Sequence, residues 1–99
     1  MKIYQIVFSK AVRKQIQNLP GHVRTMAKRE IANLSENPRP GPDKELTGQP
    51  DYFRIWILAD YRLVWHVMDD EQTVEIEYVG PKTPDLYEHL GLARPRDQG

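Results

Sequence analysis

The sequence predicts one α+β domain: an N-terminal strand, a helical hairpin, then an antiparallel β-meander closed by a short C-terminal helix. Three observations predict it. Residues 3–8 alternate, the next 26 carry apolar side chains at helical spacing, and the stretch from residue 52 to 79 holds three alternating runs separated by short polar turns. At 99 residues the chain supports one modest core, expected over residues 1–91 with a polar tail at 92–99.

Ile3 to Phe8 reads as the first strand, with Tyr4, Ile6 and Phe8 on one side, and Ser9 is a good N-cap for a helix starting at Lys10. Val12, Ile16 and Leu19 mark its buried stripe. Pro20-Gly21 breaks the run, after which Val23, Met26, Ala27, Ile31 and Leu34 define a longer second helix. Residues 37–43, NPRPGPD, are four-sevenths Pro or Gly, and proline removes a backbone donor, so they form a loop. Tyr52 to Leu58, Tyr61 to Met68 and Thr73 to Val79 follow as strands, linked by Ala59-Asp60 and by Asp69 to Gln72. Phe53, Ile55, Ile57, Tyr61, Leu63, Trp65, Val67, Val74, Ile76 and Tyr78 are expected under the helices. Arg54, Trp56, Arg62, Val64, His66, Glu75 and Glu77 are expected on the opposite, open face. Asp85 to Gly91 has room for one or two helical turns.

Composition narrows the function classes. The chain has no cysteine, which excludes disulfides, thiolate zinc sites and a thiol nucleophile. No apolar run approaches the roughly 20 residues of a membrane span, and the start is too strand-like for a signal peptide, so a cytoplasmic protein is expected. The formal net charge is zero, yet residues 1–44 hold 9 basic against 3 acidic side chains and residues 45–99 hold 5 against 11. Such polarity suits either a polyanionic partner for the basic half or packing of the halves against each other.

Arg54, Arg62 and Lys82 come from separate segments and can converge on one anion across strands about 5 Å apart. A phosphodiester is the natural guest, because arginine forks bind its non-bridging oxygens and stabilise added negative charge. The alternative is pairing of each arginine with Glu75 or Glu77. Tyr87 can stack on a base or bond a reacting hydroxyl, or can simply pack with a wet hydroxyl. His66 is a possible general base beside Arg62 or a space-filling residue. Lys10, Arg13 and Lys14, with Arg24 and Lys28 four residues apart, offer a basic helical surface to an RNA backbone or are ordinary solvated faces. Metal binding is not expected: His22, His66 and His89 fall on separate elements, and no carboxylate cluster has ligand spacing. A helix-turn-helix around Pro20-Gly21 lacks its third helix.

The order of elements, with Lys44-Glu45-Leu46-Thr47-Gly48 before the second strand, Asp60-Tyr61-Arg62-Leu63-Val64-Trp65 with its following acidic turn, and Val79-Gly80-Pro81-Lys82, resembles the RelE/ParE toxin superfamily over residues 3 to about 90. In its RelE-like branch the resemblance implies a type II toxin that enters the ribosome and cuts mRNA without a metal or other cofactor. By position, Arg54, Arg62, Lys82 and Tyr87 match that branch's catalytic positions. Arg54 and Arg62 would bind phosphate, Lys82 would stabilise charge or protonate the leaving oxygen, and Tyr87 would orient the nucleotide. Two positions depart: Trp56 stands where a lysine occurs, and Lys82 where arginine is usual. Trp56 would then stack on a base, joining Arg13, Lys14, Arg24 and Lys28 as RNA-binding residues. The resemblance also implies an antitoxin partner, with operator DNA bound only through the toxin–antitoxin complex. A gyrase-poisoning toxin of the ParE kind and a non-toxic interaction module are the alternatives.

Overall fold

A computed structural model describes residues 3–41 and 44–92. The elements run β1 (Gln5–Phe8), α1 (Lys10–Gln17), α2 (Gly21–Leu34), β2 (Tyr52–Ile57), β3 (Tyr61–Met68), β4 (Thr73–Pro81) and α3 (Leu86–His89). This is the α+β order read from the sequence. The Ser9 side chain accepts a hydrogen bond from the Val12 amide and starts α1 at Lys10. Pro20 stands at the N-cap of α2, where its missing donor costs nothing.

The sheet has the order β1-β4-β3-β2. Strands β2, β3 and β4 form the antiparallel meander, while β1 lies beside β4 and parallel to it, from Gln5 opposite Thr73 to Phe8 opposite Ile76. The helical hairpin is the crossover that such a parallel pair needs. Its apolar stripes, Val12, Ile16, Leu19, Val23, Ala27, Ile31 and Leu34, pack with Phe53, Ile57, Leu63, Trp65, Val67, Val74, Ile76 and Val79 in the main core. Trp65 is fully buried there, and its indole nitrogen donates to the Pro38 carbonyl at 2.9 Å, tying the Pro-rich loop to the sheet. Arg39 of the same loop bridges Asp51 at 2.8 Å and Asp69 at 2.6 Å.

Two facing assignments need correction. A bulge interrupts the β3–β4 ladder: Val64 pairs with Tyr78 and Trp65 with Ile76, leaving Glu77 without a partner on β3. One extra residue reverses the alternation. Val79 therefore enters the core, and Tyr78, expected there, packs on the other side of the sheet. The second correction is Val64, expected on an open face but completely buried. It forms a second, smaller cluster with Leu46 and Leu92, flanked by Tyr52, Tyr78, Tyr87 and Leu90. The K-x-L-x-G loop and the chain after β4 thus cover the middle of that face. Leu92, first residue of the expected polar tail, is buried; residues 93–99 lie outside the described residues.

Candidate functional site

The small cluster divides the face away from the helices into two ends. At one end β2 and β3 place Trp56 opposite Arg62, and Arg62 lies opposite Gly80 of β4, two residues before Lys82. The Arg62 guanidinium sits 3.9 Å above the Trp56 ring, and Trp56 itself is half-exposed. This stack fixes the direction of the fork. Burial pushes the Arg62 guanidinium below its ordinary value; the nearby Tyr87 opposes that shift and Arg54 adds to it. The Nε of Arg62 and the hydroxyl of Tyr87 are both buried without a hydrogen-bond partner among the described residues. Buried polar atoms left unpaired in this way are costly, so a polar guest or a water placed here would complete the bonding.

Lys82 stands at the rim with its ammonium 5.7 Å from the Tyr87 ring centroid, and donates to the Thr83 carbonyl at 3.0 Å. Its own backbone amide is anchored on the Asp60 carbonyl at 3.0 Å. Arg54, one row along the sheet, lies opposite Val64 and reaches the Glu45 carbonyl at 3.3 Å. The four expected catalytic side chains and Trp56 therefore share one end of one face. Pairing of Arg62 with Glu75 is not what the fold produces, because Glu75 lies opposite His66, four residues along β3.

The helical cations occupy a different place. Arg13, Arg24 and Lys28 line a groove between the helices and β1, where Arg13 lies 5.1 Å over the Phe8 ring and Arg24 donates to the Leu19 carbonyl at 3.1 Å. The Nε of Arg24 is buried and unpaired there. Lys14 is exposed on α1 outside that groove. The fold thus separates the proposed RNA-binding residues into Trp56 on the sheet and a basic set on the helical side.

The far end of the sheet face holds a group that counting residues along the chain missed. His66, Glu75 and Glu77 come together there, contrary to the expectation that no such set has ligand spacing. Burial, with Glu75 close by and hydrogen-bonded to it, pushes the Glu77 carboxyl up to about 7. Cross-strand pairing carries the signal, since an acidic turn between β3 and β4 brings residues nine apart into register.

Among the described residues no helix is long and apolar enough to cross a membrane. No family model matches the chain. It is 31% identical over 80 residues to the mRNA interferase toxin RelE of Escherichia coli strain K12, covering 80% of this chain and 83% of that protein. The mRNA interferase RelE of Shigella flexneri matches to the same extent. Among solved structures, a substituted E. coli RelE toxin in the free state superimposes with a TM-score of 0.77 at 27% identity, over 90% of this chain and 95% of that one. The intact E. coli RelBE toxin–antitoxin complex gives 0.72 at 30% identity, over 81% and 98%. A RelE–RelB complex from Pyrococcus horikoshii, at 23% identity and a TM-score of 0.68, shares the fold. With sequence and architecture matched over most of both chains, this protein belongs to the RelE toxin family.

Proposed function

We propose that the chain is an mRNA interferase, the toxin of a type II pair, and that it cuts ribosome-bound mRNA by attack of a ribose 2′-hydroxyl on the adjacent 3′ phosphate. The bond that forms is from the 2′ oxygen to phosphorus, and the 2′-hydroxyl proton passes to solvent water as it forms. The bond that breaks is to the 5′ oxygen of the next nucleotide, leaving a cyclic phosphate and a free 5′-hydroxyl. Arg62 and Arg54 hold the non-bridging oxygens and stabilise the extra charge of the pentacoordinate state. Lys82, at the rim, stabilises the departing oxygen and supplies its proton. Tyr87 orients the nucleotide, its hydroxyl meeting the ribose or phosphate, while Trp56 offers its exposed ring to a base.

The observation that carries the reading is the pair of buried, unpartnered polar atoms, Arg62 Nε and Tyr87 Oη, beside a half-exposed tryptophan. Buried polar atoms are ordinarily hydrogen-bonded, and two of the three that are not, among the described residues, stand at this end of the sheet. The family supports the rest: its curated members are named mRNA interferases, and its solved complexes contain a RelB antitoxin. By the same likeness an antitoxin partner holds this toxin silent in the cytoplasm, and operator DNA is bound through their complex.

The test is induced expression of the wild type, Arg62→Ala and Tyr87→Ala, with primer extension on a translated message and on one lacking its start codon. Translation-dependent cuts that vanish in both variants support the proposal. Growth arrest without cuts sinks it in favour of a protein target such as gyrase, and no arrest leaves a non-toxic binding module.

A further inference from the structure

The far end of the same sheet face has a chemistry that phosphate binding does not use. His66 of β3 stands directly opposite Glu75 of β4, and the bulge turns the unpaired Glu77 to the same side. One donor atom from each of the three side chains lies within 4.8 Å of the others. Tyr52, opposite His66 on β2, stacks on the imidazole at 4.1 Å with only 5° between the ring planes, which fixes the direction of the ring.

We propose that His66, Glu75 and Glu77 form a site for a single divalent first-row transition ion of the zinc type, bound through one imidazole nitrogen and two carboxylate oxygens. Such an ion takes donors at about 2.0–2.2 Å, which places neighbouring donors roughly 3.2–3.6 Å apart. Glu75 is exposed and can turn that last ångström inward by exchanging its hydrogen bond to Glu77 for the ion, while His66 and Glu77 are half-buried and already placed. The imidazole disfavours magnesium and calcium, which take oxygen donors, and favours a borderline ion. The remaining coordination positions face solvent and take water.

The ion acts on the fold, outside the reaction. His66 lies four residues from Arg62 along one strand, about 13 Å at the usual rise, so the metal is not placed on the scissile phosphate. It neutralises two carboxylates at the bulge and ties β3 to β4 where their ladder is broken. The proposal is therefore independent of the nuclease reading.

The test is calorimetric titration of the purified full-length chain with zinc chloride, with the histidine ring signals followed by NMR. Saturable binding of one ion per chain is expected, reversed by EDTA, with shifts confined to the His66 ring and no equivalent response to magnesium. His66→Gln and Glu77→Gln should each weaken binding at least about tenfold, whereas His89→Ala, which removes the exposed His89–Asp85 pair at 3.2 Å, leaves it intact. Absence of saturable binding overturns the proposal. So does binding that survives both ligand substitutions, or that is lost with His89. Circular dichroism of each variant separates loss of a ligand from loss of the fold.

Discussion

Replacing Trp56 by alanine removes a ring that half faces solvent and half supports Arg62. The guanidinium lies 3.9 Å from the ring centroid and is itself partly buried, a geometry worth about 1 kcal/mol. A base stacked on the outer face of the ring adds about 1–3 kcal/mol. The smaller sum, about 2 kcal/mol, corresponds to roughly a 30-fold loss in kcat/KM. Because Trp56 is 50% exposed, stability should fall by no more than about 1 kcal/mol. The assay is single-turnover cleavage of a message on programmed ribosomes, with urea melts as the control for folding. Trp56→Phe should recover part of the loss. A double-mutant cycle with Arg62→Ala should show coupling of about 0.5–2 kcal/mol, since each single variant destroys the same stack. Cleavage by Trp56→Ala within twofold of the wild type, or additive effects in the cycle, would refute the reasoning and leave Trp56 a bystander.

Trp65→Phe deletes buried volume and orphans the Pro38 carbonyl that Trp65 bonds at 2.9 Å; urea unfolding should show a loss of about 2–4 kcal/mol, and less than about 1 kcal/mol contradicts the packing described. A Cβ at Gly80 would meet the Tyr78 hydroxyl at 2.8 Å, and that hydroxyl donates to the Pro81 carbonyl at 2.6 Å. Gly80→Ala should therefore displace Tyr78, costing about 1–2 kcal/mol by thermal melting and lowering cleavage through a shifted Lys82. Glu77 has a folded-state pKa raised to about 7 from an ordinary 4.5, so its contribution to stability is full below 4.5 and is lost as pH rises through 7. In EDTA, Glu77→Gln should gain on the wild type by about 1–2 kcal/mol between pH 5 and 8.5, after allowance for its partial exposure. A difference independent of pH counts against the shift.

Much of the architecture was legible because each element announced its own period. Ser9 and Pro20 gave both helix starts, and alternation gave the three strands of the meander. The clustering of the candidate site was legible for a related reason: Arg54, Trp56 and Arg62 fall on alternate positions of adjacent strands, where a two-residue period alone puts them on one face. Periodicity is local, however, and one inserted residue defeats it. Beyond the bulge, Tyr78 and Val79 exchange sides, and no local pattern marks Glu77 as the residue that loses its partner. Val64 was hidden for another reason. Its burial depends on Leu46 and Leu92, from segments far apart in the chain, folding over it. The meeting of His66, Glu75 and Glu77 follows from the same non-local register.

The parallel pairing of β1 with β4 also governs when the protein becomes whole. Gln5 finds its partner at Thr73, 68 residues later, so the first strand made must wait for the last one described. Until then Ile6 and Phe8 have no sheet to join, while the local hairpins of the meander can close early. During synthesis the incomplete chain therefore offers an unpaired strand and an unsealed core. The same delay postpones the bulge, the pairing of Gly80 with Arg62 and the placing of Lys82, so a cell translating this protein meets an inactive chain until β4 has emerged.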